Sequence, residues 1–494
     1  MEGKKGISED WLSFYLGLFI FILGLGGFIG LDLLGWGVKT EMWTDITKAF
    51  GPVSAALKAL PGIASLFFTY VFLSIILLIG ASFLEAPKGK FFLAFTLVFW
   101  ISYICFLIGH QANVAANTPG LMKKFDLTWS LRLTGEAGFI VALLAGLIVG
   151  NFIPGLARVL APAARPELYI KTAIVVMGAV VGVKAASALG LATAVLFRGL
   201  CAIVEAYLIY WAVVYIVARK YFKFSKEWAA PLASGISICG VSAAIATGGA
   251  IRARPVVPIM VSSLVVIFAV VELLILPFFA QVFMWKEPMV AGAWMGLAIK
   301  TDGAAMASGA IVDSLILSQA KNLANITYDP GWIQMTATTV KIFIDIFIGV
   351  WAFILAVIWC AKIECKPGEK VRAGEILERF PKFVIGYALT FALMLIICLA
   401  TGAKSDLVKG AMVPNASLKL ANNVTGGMDI FRAMFFVLTF FTIGVVSNFR
   451  KLWEEGIGRL AAVYVVCLFG FIIWVGLLIS WIFFHGVTPP VVAG

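Results

Sequence analysis

The sequence predicts an all-α polytopic membrane protein, on three observations. Of its 494 residues, 62% are hydrophobic and 13% charged, about half the charged share of a soluble chain. Mean hydropathy is +1.02. Apolar runs of about 20 residues recur from end to end, the length that crosses a bilayer as a helix. Such a chain presents no wettable surface, which excludes a soluble enzyme. A transmembrane β-barrel is excluded too, because its strands would alternate polar and apolar residues.

Thirteen spans follow from the apolar runs: 11–31, 63–84, 91–111, 133–151, 168–184, 190–219, 228–251, 256–283, 289–312, 332–361, 382–401, 431–449 and 457–484. The first reads as an anchor rather than a cleavable signal, being long enough to span. The stretch 36–60, punctuated by Pro and Lys, reads as an interfacial helix or loop. The net charge of +12 comes from basic residues in short loops, which points to topology and lipid headgroups rather than nucleic acid. Placing the amino terminus in the cytoplasm puts the two most basic connections, 219–228 and 361–382, inside. A bacterial inner membrane fits this pattern.

Cysteine and histidine say little. Most of the seven cysteines fall inside apolar runs, and Cys360 and Cys365 alone are weak evidence for a metal or disulfide. His110 and His485 are the two histidines, so a His-rich metal site is not expected. No cofactor is expected either. The sequons at Asn325, Asn415 and Asn423 match at chance level. Residues 178–190 (GAVVGVKAASALG) and 444–456 (GVVSNFRKLWEEG) share Gly, Val, a base and Gly at the same offsets. They would run in opposite directions, as an inverted-repeat transporter requires. An ordinary helix exit would also produce the pattern.

Three segments carry the candidate chemistry. In 231–249, Ser234, Ser237, Cys239, Gly240, Ser242 and Thr247 crowd the middle of a span. Each interior Gly costs a helix about 1 kcal/mol relative to Ala. A packing face would account for the glycines; a helix broken at membrane depth accounts for the hydroxyls as well. Its half-helix end would offer amides and a positive dipole to an anion. In 292–309, Lys300, Thr301, Asp302 and Gly303 lie near the middle of another span. A charge at the bilayer centre costs roughly 2.5–3.5 kcal/mol and faces a pathway or a partner. Residues two apart do not share a helix face, so a break at Gly303 is needed for Lys300 and Asp302 to enter one cavity. In 336–345, Lys341 and Asp345 are four apart and share a face, suiting a coupling pair or a structural ion pair. Arg198, Glu205 and Glu272 read as helix braces or headgroup-level charges, and 362–382 as a solvated connection.

With those residues in view, SICGVSAA followed by AT, and then G-x3-KTDGAAMASG, the sequence resembles the YeiH-type sulfate exporter family. That family resembles the sodium/proton antiporter and bile-acid symporter superfamily. The resemblance covers roughly 133–484 and includes GLIVG at 146–150; residues 1–132 carry additional helices outside it. It implies an inverted-repeat fold with crossing broken helices, core and scaffold domains, an elevator motion and a homodimer. Ser237, Cys239, Gly240, Ser242 and Thr247 match the family's first broken helix. The second departs from it: the family's His-Glu-x-x-Gln is replaced by Lys300, Thr301 and Ala304, and its acidic-Pro pair by Gly248-Gly249.

The leading expectation is therefore a secondary transporter of a small anion such as sulfate, an organosulfonate or a carboxylate. Lys300 would supply charge, and Ser237, Ser242, Thr301 and backbone amides would supply hydrogen bonds. The alternative is an antiporter in which Asp302 binds Na⁺ or a proton in competition with Lys300. Neither an enzyme motif nor a Walker loop occurs.

Overall fold

The protein is represented by a computed structural model, which describes residues 7–84, 87–116, 119–131, 135, 137–187, 189–251, 253–254, 256–362, 381–408, 411–447 and 458–492. It is an all-helical polytopic membrane protein, decorated by two small antiparallel hairpins. Large apolar side chains such as Phe152, Phe197, Phe283 and Ile482 point outward, an arrangement stable only where the surroundings are apolar too.

Three helices come first: α1 (Glu9–Leu25), α2 (Gly62–Phe83) and α3 (Lys88–Gly109). Ser8 caps α1 by accepting from the Trp11 amide, a frequent N-cap arrangement. Residues 36–60 form neither a span nor a helix of length. They hold the hairpin β1 (Val38–Thr40) and β2 (Phe50–Pro52), in register Val38 opposite Pro52, with short 3₁₀ turns around it.

The centre is built on α6 (Pro166–Ser187) and α16 (Ala416–Val446), both buried over most of their length. α6 packs along α15 (Lys382–Ala400), α16 and α1. α16 also lies along α4 (Ala137–Phe152). There Gly146 and Gly444 bring main chain against main chain: a Cβ on Gly146 would stand 2.1 Å from Phe441 O, and one on Gly444 2.5 Å from Leu143 O. Small residues in this spacing are how helices approach closely within lipid. The second hairpin, β3 (Ser405–Val408) with β4 (Ala411–Pro414), joins α15 to α16.

The remaining helices include the two interrupted pairs. They are α5 (Pro154–Leu160), α7 (Leu189–Tyr221), α8 (Lys226–Ser237), α9 (Val241–Ala250), α10 (Val256–Met284), α11 (Pro288–Ala298), α12 (Asp302–Ala324), α13 (Trp332–Ile346), α14 (Ile348–Lys362) and α17 (Gly458–Phe484). α7 carries two π-helical stretches, Glu205–Tyr210 and Val217–Tyr221, and α17 carries one, Leu468–Ile472.

Among the described residues, ten helices are long and apolar enough to span a membrane, against the thirteen runs read from the sequence. The difference lies in three runs, each interrupted. Residues 133–151 become α4, which turns through 114° into α5 at Pro154, a residue suited to starting a helix rather than continuing one. Residues 228–251 are split into α8 and α9, and 289–312 into α11 and α12. Of the repeat-like pair, 178–187 lies in α6 and 444–447 ends α16; 448–456, with Arg450, lies outside the described residues. So does most of 362–382, with Cys365.

Candidate functional site

The site begins with two helix breaks. α8 stops at Ser237 because its chain turns at Ile238 (φ −104°, ψ −92°), and Gly240 (φ +62°, ψ −105°) then starts α9. That conformation is easy for glycine and strained for other residues. α11 stops at Ala298, where Ile299 becomes extended; Thr301, also extended, caps α12 by accepting from the Ala304 amide. The two breaks lie against each other. A Cβ on Gly240 would stand 3.1 Å from Lys300 O and 3.1 Å from Thr301 Cγ2.

Two helix breaks that lie against each other in this way put opposite partial charges at one point. The C-terminal ends of α8 and α11 present carbonyls, and the N-terminal ends of α9 and α12 present amides with no intrahelical acceptor. Lys341, on α13 and fully buried, answers the carbonyls. Its ammonium donates to Ile238 O at 2.7 Å and Lys300 O at 3.4 Å, and stands 3.7 Å from Asp302 Oδ1. α13 is itself held to α12 by Asp313, whose carboxylate accepts from the Gly331 and Ile333 amides at 2.8 and 3.0 Å. Asp302 is the first residue of α12, where a carboxylate meets the positive end of the helix. Lys341 thus reaches past Asp345, its neighbour four residues on, to the break and to Asp302.

Cys239, Asp302 and Asp345 place their ligand-type atoms within 4.8 Å of one another, all buried. Asp302 Oδ1 and both oxygens of Asp345 accept no hydrogen bond, nor does Ser237 Oγ find a partner. Buried acceptors left unpaired are costly, so this cluster has the chemistry to hold a proton or a small cation, which the Lys341 ammonium would oppose.

On the amide side of the breaks is a pocket of about 70 Å³. Val241 of α9, the capping Thr301, and Gly303 and Ala304 of α12 line it, with Glu167 of α6 and Thr439 of α16 opposite. Glu167 is paired with Lys171 at 3.4 Å, and Lys171 in turn with Asp10 at 3.4 Å. The hairpin of α8 and α9 is closed away from the pocket by Glu227, which takes a forked pair of bonds from Arg254. Those bonds hold the Glu227 carboxyl below its ordinary range.

The structure brings Cys239, Gly240, Asp302, Lys341 and Asp345 together at the crossing, with Ser237 on the adjoining last turn of α8. Thr301 and Gly303 lie at the pocket. Thr247 is elsewhere: its hydroxyl donates to Ser234 Oγ at 2.7 Å, tying α9 to α8, and Trp211 donates to the same oxygen at 2.9 Å. Ser242 is the second residue of α9, and its side chain lies outside the described residues. Lys300 and Asp302 do not share a cavity. The Lys300 ammonium turns away, donates to Leu297 O and sits 4.4 Å over the Tyr210 ring. Its surroundings are Glu205 and Glu272, which sequence reasoning reads only as braces. Arg198 does brace, donating to Phe483 O at 2.9 Å.

Comparison with other proteins adds a family. Residues 131–409 match the family model described as "Conserved hypothetical protein 698". The chain is 40% identical over 492 residues to the UPF0324 membrane protein NE0724 of Nitrosomonas europaea, covering 98% of this chain and 97% of that one. An uncharacterized protein of Archaeoglobus fulgidus is 52% identical over 186 residues, 36% of this chain and 97% of its own. A UPF0324 membrane protein of Nitratidesulfovibrio vulgaris is 29% identical over 456 residues, 90% of this chain and 67% of its own. No solved structure matches.

Proposed function

We propose that this chain, which belongs to the UPF0324 membrane-protein family, is a secondary transporter that binds a small anion where the N-terminal ends of α9 and α12 meet. One observation carries this reading: two interrupted helices meet at their breaks, and the N-terminal ends of α9 and α12 line one pocket. Amides and helix dipoles there attract negative charge without a buried cation in the pocket itself. Non-helical backbone at membrane depth is tolerated only inside protein or beside a cavity, and broken helices at mid-membrane are the usual substrate site of secondary transporters.

Sulfate, an organosulfonate or a carboxylate has the charge for this site, in keeping with the resemblance to YeiH-type exporters. The finer picture follows from that resemblance: an inverted repeat spanning 133–494, additional helices in 1–132, elevator-type motion, a homodimer, and a bacterial inner membrane with the amino terminus in the cytoplasm. The chain is a carrier rather than an enzyme. Lys341, not Lys300, is the cation at the crossing, and Asp302 faces it.

A second reading rests on the unpaired oxygens of Asp302 and Asp345 beside Cys239: an antiporter that binds Na⁺ or protons there. Uptake of labelled sulfate into proteoliposomes, with sulfonates and carboxylates as competitors, separates the two. Wild type should show saturable uptake, lost in Gly303→Val, which fills the pocket. No anion flux, together with an Na⁺- or pH-driven response that needs Asp302, overturns the anion reading in favour of the cation antiporter.

A further inference from the structure

Behind the breaks, on the side away from Asp302, lies a second group of buried ionisable side chains. Glu205 opens the first π-helical stretch of α7 and is 0% exposed; Glu272 of α10 is 1% exposed, and Lys300 0%. Lys300 acts electrostatically on both carboxylates. The other titratable groups facing them are Tyr210 and Cys201 on α7, Tyr464 on α17 and Lys341 across the break on α13.

The two carboxylates are treated differently. Glu272 has donors: Oε1 accepts from the Tyr464 hydroxyl at 2.7 Å, and Oε2 from the Lys300 amide at 3.3 Å. Glu205 has none at either oxygen. Tyr210, beside it, gives its proton to Ile472 O at 2.9 Å, the last residue of the π stretch of α17. No side chain intervenes there, because the facing residue is Gly476. A Cβ at that position would stand 2.7 Å from Tyr210 Oη and 3.5 Å from Glu205 Oε1. Tyr210 and Glu205 are within hydrogen-bonding reach; with its hydrogen on Ile472 O, the Tyr210 oxygen offers Glu205 a lone pair.

Charge counting completes the argument. Two carboxylates and one ammonium sum to −1 in a volume closed to water, and an uncompensated buried charge is far more costly than a neutral acid. One proton removes the excess. The donors on both oxygens of Glu272 favour its ionised form, whereas on Glu205 a proton would create the missing bond, from the carboxyl O–H to Tyr210 Oη. π-Helical insertions inside α-helices occur frequently at functional sites, and here two of them meet at this carboxyl.

We propose that Glu205 is a proton-binding site, balanced by Lys300 and Glu272, that supplies the proton coupling of this transporter. The carboxylate takes a proton from water when exposed to one side and returns it when exposed to the other. Residue 300 connects the two sites. Its amide donates to Glu272, and its carbonyl accepts from Lys341 at the crossing. The coupling role rests on the transporter reading; the protonated carboxyl does not.

The test is pH-difference infrared spectroscopy of the full chain in lipid, read at the C=O stretch of protonated carboxylic acids. Wild type at neutral pH should show a component that is lost in Glu205→Gln and kept, at the same frequency, in Glu272→Asp, which preserves the charge balance. Should Glu205→Gln fail to fold, Glu205→Asp must shift the frequency of that component. An undiminished, unshifted band in the Glu205 variants, or a band shifted by Glu272→Asp instead, overturns the assignment. In proteoliposomes, Glu205→Gln should abolish the response of labelled-sulfate uptake to an imposed pH gradient; a response equal to wild type overturns the coupling role. If wild type carries no sulfate, the anion reading falls while the infrared result still decides the proton site.

Discussion

The two buried charge clusters on either side of residue 300 have the same inventory and opposite surroundings. In front stand Lys341, Asp302 and Asp345; behind stand Lys300, Glu205 and Glu272. Each sums to one ammonium and two carboxylates. The front ammonium is used up on main-chain carbonyls exposed by the helix breaks, and the front carboxylates face the ends of half-helices. The rear ammonium lies against an aromatic ring and its own helix, and the rear acids are enclosed by hydroxyls and π-helical turns. Equal formal charge therefore gives unequal jobs. Where the backbone supplies free dipoles, the charges hold a broken structure together and leave a pocket; where it does not, they are left to exchange a proton.

The largest test of that contrast is Lys341→Met. Removing one partner from a buried ion pair costs about 3–5 kcal/mol, and here it also abandons the carbonyls of Ile238 and Lys300. Thermal unfolding followed by fluorescence should show a large drop in apparent Tm, partly restored by adding Asp302→Asn, a non-additivity expected of contacting charges. An unchanged Tm would mean that the breaks need no cation.

Gly240→Ala comes next. Its φ of +62° and the Lys300 carbonyl 3.1 Å from the new Cβ make a cost of about 1–3 kcal/mol reasonable for one strained residue. Because that carbonyl belongs to residue 300, the variant should disturb both clusters. The check is whether the infrared carboxyl band moves along with the drop in Tm. A drop without a band change would show the clusters to be independent.

The smallest effect belongs to Glu227→Gln, remote from both. Arg254 lowers the folded pKa of Glu227, so the pair contributes above the ordinary carboxylate pKa and is lost as pH falls through the folded value. The pair is solvent-screened, and a loss of about 1 °C in apparent Tm at neutral pH, vanishing in acid, is expected for it. A larger loss would place the hairpin closure among the structural determinants of the site.

Hydropathy made the membrane architecture legible, and the small, hydroxylated run around Ser237 and Gly240 made the first break legible. Glycine there has a local meaning that a single sequence carries. The second break was legible only as a need, since Thr301 achieves it by capping rather than by glycine. The partners of its charges were not readable at all. Lys341 bonds carbonyls 103 and 41 residues away, while the spacing rule points to Asp345 four residues away. Lys300 finds Glu272, 28 residues distant, through its backbone amide, a donor that every non-proline residue carries. Local periodicity reports which residues share a face and is silent on which faces meet.

That main-chain link has a consequence for anyone scanning this protein residue by residue. Replacing Lys300 by alanine, methionine or glutamine deletes an ammonium yet leaves the amide-to-Glu272 and carbonyl-to-Lys341 links in place. The wiring between the two clusters is thus invisible to ordinary side-chain substitution at position 300 itself. Proline alone, lacking an N–H, would cut the strand that runs to Glu272, and a survey without proline would conclude that position 300 matters only for its charge.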